Sequence, residues 1–157
     1  VPLFVNDRVD IALAVDADGI HLGQTDMPLA LAKRVAGDRL IIGISCEAPQ
    51  DAVEAERGGA DYLSVSPVFA TPTKTDTVPA LGLDGVRAIR AAVRLPVVTI
   101  GGINATNAAG VIRAGADGIC VVSAIVVAVF GWFMPARTVT PGKPKIEFIL
   151  LENDIPF

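Results

Sequence analysis

Short apolar runs rich in valine and isoleucine alternate along this chain with longer, alanine-rich amphipathic segments. The short runs predict strands that are covered on both faces, and the amphipathic segments predict helices that bury one face. This alternation is typical of an α/β fold in which helices pack outside a parallel sheet. The predicted strands cover 2–5, 19–22, 40–44, 62–65, 97–100 and 118–122, and the predicted helices cover 9–15, 28–36, 49–58, 83–93 and 106–114.

Polar residues with chemical capability recur at one end of the predicted strands. Each follows a strand within a few positions, so in a parallel arrangement all of them would lie on one rim. This placement favours a (β/α)8 TIM barrel over an open doubly wound sheet, although the sequence supplies six strands where a closed barrel has eight. The residues are Asn6 and Asp7, Gln24 and Asp26, Ser45, the segment 66–74, Gly101 with Gly102, and Ser123.

The last two predicted strands are followed by glycines and small polar residues. Gly101 and Gly102 follow one strand and Ser123 follows the next, which predicts exposed backbone N–H groups at both places. Barrels of this class commonly bind a phosphate with the loops after their seventh and eighth strands. We therefore expect the six strands to be strands 3–8 of an incomplete barrel, with two strand–helix units missing from its front.

Two aspartates close adjacent predicted strands. Asp7 and Asp26 could converge on one Mg²⁺, which prefers oxygen ligands and commonly takes one or two carboxylates together with substrate phosphate. The alternative is that Asp7 caps a helix and Asp26 begins the turn before Pro28. Spacing alone does not decide between these interpretations.

The loop after the fourth predicted strand carries Thr71, Pro72, Thr73 and Lys74. Two hydroxyls and an ammonium, stiffened by proline, form either an oxyanion clamp or an ordinary solvated loop. His21, the one histidine of the chain, lies within a predicted strand. We interpret it as structural, because no carboxylate or nucleophile spacing supports a triad.

Composition and charge exclude several kinds of partner. The formal charge is −4 and no Lys/Arg run occurs, so a nucleic-acid partner is not expected. Residues 118–136 carry no charge, but their β-branched start and Ser123 favour a buried strand over a membrane span. Cys46 and Cys120 lie in apolar runs without metal spacing, which favours reduced thiols and a cytoplasmic protein.

Five ordered motifs together carry a family resemblance. They are VNDRVD at 5–10, GIHLGQ at 19–24 with Asp26, PVF at 67–69 leading to TPTK at 71–74, IGGI at 100–103, and VVSAI at 121–125. This set resembles the thiamine-phosphate synthase family over residues 1–125. The resemblance implies a (β/α)8 barrel of thiamine biosynthesis, a transferase that joins hydroxymethylpyrimidine diphosphate to a thiazole phosphate and releases pyrophosphate.

The resemblance also implies roles for individual residues. Asp7 and Asp26 would bind Mg²⁺, and these two with Lys74 and Ser45 would carry the chemistry. The family reaction is dissociative and leaves a pyrimidinylmethyl cation, so no protein nucleophile is needed. The implied contacts are Asn6, Ser45 and Lys74 for the pyrimidine diphosphate, and Thr71, Pro72, Thr73, Gly102, Val122 and Ser123 for the thiazole phosphate.

The sequence departs from the family pattern at both ends. It lacks the Gln-x-Arg-x-Lys segment that grips the diphosphate, and residues 126–157 show no helical period where the family has a closing helix. We therefore divide the chain into a partial TIM-barrel domain at 1–125 and an atypical tail at 126–157. Unpaired strand edges invite association, which leaves a homo-oligomer open, and we expect the isolated chain to be poorly active or inactive.

Two other functions compete with the synthase. A thiazole tautomerase would share the barrel and the thiazole-phosphate cradle but would work by proton transfer. The Asp7/Asp26 pair and the loop bearing Lys74 favour the synthase, because tautomerisation expels no diphosphate. The third interpretation is a truncated, non-catalytic remnant that binds phosphate or nothing.

Overall fold

A computed structural model describes residues 1–71 and 79–122, which form a curled half-barrel of six parallel strands alternating with helices. The strands pair in chain order, each parallel to the next. The α/β fold of incomplete TIM-barrel type expected from the sequence is confirmed. The elements are β1 (Phe4–Asn6), α1 (Val9–Ala14), β2 (Gly19–Leu22), α2 (Leu29–Ala36), β3 (Ile41–Cys46), α3 (Pro49–Arg57), β4 (Tyr62–Val65), α4 (Gly82–Ala92), β5 (Val97–Thr99), α5 (Ala108–Arg113) and β6 (Gly118–Ile119).

Predicted and observed elements agree in order, and β2 and β4 agree residue for residue. The largest difference is β6, which is regular only over Gly118–Ile119, whereas the apolar run continues to residue 122. One further hydrogen bond, from the Cys120 amide to the Thr99 carbonyl oxygen at 2.7 Å, continues the pairing past its end. The apolar run therefore predicted where this strand begins but overestimated its length.

The two faces of the sheet have different surroundings. Along each strand the side chains point alternately to the outer and the inner face of the sheet. Those on the outer face pack beneath the helices and form the core. Phe4, His21 and Tyr62 share the inner face, where the Tyr62 ring contacts the rings of both Phe4 and His21. The largest fully buried core side chains include Ile20, Leu22, Ile42, Leu63, Val65 and Val97 from the strands, and Val9, Val86, Ile89 and Val111 from the helices.

Three aspartates at helix-to-strand turns tie neighbouring strands together at the end of the sheet where the strands begin. Each carboxylate accepts a hydrogen bond from a backbone N–H at or near the start of the preceding strand, so that amide does not remain unpaired. The pairs are Asp18 with Leu3 at 2.6 Å, Asp61 with Ile42 at 2.8 Å, and Asp117 with Val97 at 2.8 Å. This end of the sheet is thus occupied by structural hydrogen bonds.

None of the helices in the described ranges has the length and hydropathy needed to cross a lipid bilayer. The tail at 126–157 and the loop residues 72–78 lie outside the described ranges, so the proposed division at residue 125 stays a prediction.

Candidate active site at the ends of the strands

The strand register brings the ends of β1, β2 and β3 together at one rim. Asn6 is the register partner of His21, and the next amide, that of Asp7, donates to the His21 carbonyl oxygen at 2.9 Å. Leu22 pairs with Ile44, so Ser45 on β3 stands beside the residues that follow β2. The structure therefore brings Asn6, Asp7 and Ser45 to one side of the sheet.

Both aspartates lie close to His21. Asp7 has a φ of 63°, in the left-handed region that aspartate tolerates better than most residues, and its amide binds the His21 main chain. Asp26 accepts a hydrogen bond through Oδ2 from the Gly23 amide at 2.6 Å, and its negative charge acts on the His21 ring. The backbone of Asp7 and the carboxylate of Asp26 thus both lie beside His21, on the side of the sheet where β1 and β2 end.

One buried atom of the half-buried Asn6 bears on whether a metal ion fits there. Its Oδ1 atom is buried and has no hydrogen-bond partner among the described residues. Buried polar atoms in native proteins are nearly always satisfied, so such an atom commonly marks the place of a water, an ion or a ligand. The described ranges contain no cluster of three or more His, Cys, Asp or Glu side chains suited to a metal. One amide oxygen and two carboxylates suit Mg²⁺, which keeps waters and takes substrate phosphate.

Ser45 is held by two side chains from the neighbouring strand and the loop that follows it. The Ser45 hydroxyl lies 2.9 Å from Nε2 of His21, and the Ser45 carbonyl oxygen accepts a hydrogen bond from the Gln24 amide. Nδ1 of His21 lies 3.0 Å from the hydroxyl of Tyr62. These contacts connect Ser45, at the rim, with Tyr62 deeper in the half-barrel.

His21 is 8% exposed, and this burial lowers its pKa to about 4 from 6.5, against a smaller opposing effect of the Asp26 charge. Burial also raises the pKa of the Tyr62 hydroxyl, with a further contribution from Cys120. At neutral pH the ring is therefore neutral and the phenol keeps its proton.

The lowered pKa of His21 predicts a pH dependence of stability in the metal-free protein. Because the folded pKa lies below the unfolded one, the neutral ring favours the folded state above pH 6.5, and this contribution is lost as the pH falls towards 4. The loss is on the order of 2–3 kcal/mol. Urea unfolding between pH 7.5 and 4.5 should show a steeper fall for the natural chain than for His21→Gln. Equal slopes would contradict the assigned pKa.

The phosphate-binding side of the predicted rim is partly described. Gly101 and Gly102 have φ values of +104° and +62°, and a Cβ on either would meet residues 67–70 at 2.7 Å. The amides of Val68 and Phe69 donate to the carbonyl oxygens of Ile100 and Gly101. The segment that leads to Thr71 is therefore held against the two glycines that follow β5.

The remaining predicted contacts divide into two groups. Thr71 and Val122 lie in the described ranges, on the loop after β4 and just beyond β6 respectively. The second group, Pro72, Thr73, Lys74 and Ser123, lies outside the described residues, so the predicted roles of these residues stay predictions.

Asn107 supports the glycine loop from the next helix. Its side-chain amide donates to the Gly102 carbonyl oxygen at 2.9 Å, which holds the peptide group between Gly102 and Ile103 in place.

Tyr62 is the residue of this site that sequence analysis missed. It opens a strand and lies 41 positions from His21, so no local motif connects the two. The nearest signal is Gly43 inside a strand, since an isolated strand glycine often marks a close approach by another group.

Comparison with known proteins agrees with the geometry. The family model described as Thiamine monophosphate synthase matches residues 1–125. The chain is 62% identical over 128 residues to Thiamine-phosphate synthase of Chloroflexus aurantiacus, covering 82% of this chain and 59% of the relative. It is 56% identical over 122 residues to that of Moorella thermoacetica, covering 78% of this chain and 58% of the relative.

A solved structure gives the same result. Thiamine phosphate pyrophosphorylase from Pyrococcus furiosus superposes with a TM-score of 0.71 at 51% identity, covering 78% of this chain and 57% of that one. The chain thus spans 57–59% of the length of these relatives. On the sequence match and the shared half-barrel, the chain belongs to the thiamine monophosphate synthase family.

Proposed function

We propose that this chain is the larger part of a thiamine-phosphate synthase, which transfers a hydroxymethylpyrimidine group from its diphosphate to a thiazole phosphate and releases pyrophosphate. The observation that supports it most is that three residues predicted for the site each meet His21: the Asp7 amide donates to its carbonyl oxygen, the Ser45 hydroxyl lies at Nε2, and the Asp26 charge acts on its ring. Relatives that carry this name at 52–62% identity favour a synthase over a tautomerase or a remnant.

The proposed chemistry is stabilisation of charge. Asp7, Asp26 and the Asn6 oxygen, which has no partner among the described residues, would hold Mg²⁺, and Lys74 would add an ammonium beside the diphosphate. When bound, the ion supplies positive charge that stabilises the departing pyrophosphate. The half-barrel itself contributes fixed positions for these groups, which lowers the entropic cost of bringing them to the substrate.

The two substrates would occupy different parts of the rim. Asn6 and Ser45 would contact the pyrimidine diphosphate between β1 and β3, beside the proposed ion. The thiazole phosphate would lie against Gly102, where the segment leading to Thr71 packs on the end of β5. Its further contacts would be Pro72, Thr73, Val122 and Ser123.

The state of the two cysteines supports a proposal for the cellular compartment. Cys46 and Cys120 are both free and buried, which agrees with a reducing compartment such as the cytoplasm. Among the described strands, β1 and β6 each pair on one side, and such edges leave association into a homo-oligomer open.

A chimera tests the proposed activity. Residues 1–125 would be joined to those parts of the Chloroflexus aurantiacus relative that this chain does not match, and pyrophosphate release would be measured with both substrates. We expect Mg²⁺-dependent formation of thiamine phosphate by the chimera and little or none by the 157-residue chain alone. An inactive but folded chimera would contradict the proposal.

A further inference from the structure

A chain of hydrogen-bonding side chains runs from the interior of the half-barrel to the rim. The Tyr62 hydroxyl lies 3.0 Å from Nδ1 of His21, and Nε2 of His21 lies 2.9 Å from the Ser45 hydroxyl. His21 is buried, while Ser45 is half-buried and stands at the rim. No aspartate or glutamate in the described ranges makes a hydrogen bond to this ring, so the arrangement differs from a catalytic triad.

Tyr62 reaches His21 across an intervening strand. Gly43 on β3 is the register partner both of His21 on β2 and of Tyr62 on β4. A Cβ at Gly43 would lie 2.0 Å from Cζ of Tyr62 and 2.4 Å from its hydroxyl oxygen. The aromatic ring therefore lies over the space that any other residue at position 43 would fill.

Two arrangements of the protons fit this geometry, and they differ in which hydroxyl proton is left for a partner outside the three residues. A neutral imidazole has one N–H donor and one acceptor nitrogen. If the Tyr62 hydroxyl donates to Nδ1, the proton of the ring is on Nε2 and is donated to the Ser45 oxygen. In the opposite arrangement the Tyr62 proton would need another acceptor, and the described residues provide it with His21 alone. The first arrangement leaves the Ser45 proton instead, and Ser45 is half-buried at the rim, where water or a ligand can accept it. The first arrangement is favoured because burial withdraws the Tyr62 hydroxyl from water, and an unmade hydrogen bond costs more there.

We propose that His21 is a positioning residue, which accepts a hydrogen bond from Tyr62 and donates one to Ser45, so that the Ser45 hydroxyl proton is directed into the mouth of the half-barrel. Ser45 then acts as a donor to an acceptor atom of the pyrimidine diphosphate, a role that rests on the proposed function. The Gln24 side chain donates to the Ser45 carbonyl oxygen, so the hydroxyl and the carbonyl group of this serine are both held from the β2 side.

The single histidine of the chain allows a direct test by nitrogen NMR. With ring-labelled histidine in the full chain near neutral pH, we expect protonated Nε2 and hydrogen-bonded, unprotonated Nδ1. Tyr62→Phe should move the Nδ1 resonance towards that of a nitrogen without a donor. A ring protonated on Nδ1 in the natural chain, or a spectrum unchanged by Tyr62→Phe, would overturn the proposal.

A double-mutant cycle of Tyr62→Phe and Ser45→Ala in the active chimera tests whether Tyr62 affects the pyrimidine diphosphate through Ser45. Tyr62→Phe should raise KM for the pyrimidine diphosphate about three- to tenfold and leave KM for the thiazole phosphate unchanged. In a Ser45→Ala background the same substitution should change kcat/KM less than about twofold, because the route to the substrate is already lost. Independent, multiplying losses would contradict the proposal.

Thr99→Val is the matched control. Thr99 is fully buried on the outer face of the sheet, opposite to the face of Ser45 and His21, and donates to the Gly118 carbonyl oxygen at 3.2 Å. Its loss should therefore lower stability without coupling to Ser45→Ala. A chimera that makes no thiamine phosphate would count against the proposed function, whereas the NMR result would still decide the proton arrangement.

Discussion

Asp26→Asn in the active chimera is expected to lower kcat by about 100-fold or more, because it removes one of two carboxylates proposed to hold Mg²⁺. The substituted side chain keeps an oxygen for the Gly23 amide, so the local turn should survive. Binding of the thiazole phosphate should remain nearly intact, since its proposed contacts lie near Gly102. Steady-state kinetics and calorimetric titration of the thiazole phosphate measure the two effects separately.

Asp16→Asn provides the control for loss of charge. Asp16 is exposed in the turn before β2, at the opposite end of that strand from Asp26, and its φ of 51° is one that asparagine tolerates. We expect turnover within about twofold of the natural sequence, because an exposed charge distant from the rim contributes little. Equal loss of thiazole-phosphate binding and turnover in Asp26→Asn would argue against the metal assignment.

Gly101→Ala is expected to lower the free energy of unfolding by about 2–4 kcal/mol, from backbone strain and overpacking together. Its φ is +104°, and an added Cβ would lie 2.7 Å from Cβ and 2.8 Å from Cα of Pro67. The segment that leads to Thr71 would have to move, so we also expect weaker thiazole-phosphate binding. Urea unfolding and titration with the thiazole phosphate check both effects.

Gly37→Ala separates strain from crowding. Gly37 has a φ of +60°, yet a Cβ there would meet nothing within 4 Å. This variant should lose about 1–3 kcal/mol from strain alone and keep its affinity for the thiazole phosphate. If Gly101→Ala were no more destabilising than Gly37→Ala and bound the ligand equally well, the packing of 67–70 against Gly101 would not matter for the site.

The sequence predicted the fold because each strand is a separate apolar run and each helix an amphipathic one. It also predicted one rim for Asn6, Asp7 and Ser45, since parallel strands direct their ends the same way. Those inferences need only local pattern and chain direction. The pairing register from β1 to β6 then determines which residues of neighbouring strands lie side by side.

Local sequence patterns could not predict a contact that depends on a glycine leaving space at a third position. Tyr62 reaches His21 because Gly43 has no Cβ, and the register that places these three residues side by side appears only in three dimensions. Burial of the Asn6 oxygen, which has no partner in the ranges 1–71 and 79–122, could not be predicted either, because burial of a single atom depends on its neighbours in space. The sequence-based interpretation of His21 as structural therefore did not include its contact with Ser45.

Anomalous scattering from crystals of this chain grown with Mn²⁺ and pyrophosphate tests the central claim most directly. Mn²⁺ accepts the same oxygen ligands as Mg²⁺. We expect an anomalous peak at about 2–2.3 Å from carboxylate oxygens of Asp7 and Asp26, with pyrophosphate bound to the ion. Pyrophosphate bound with the ion elsewhere, or aspartate side chains directed away from each other, would contradict it.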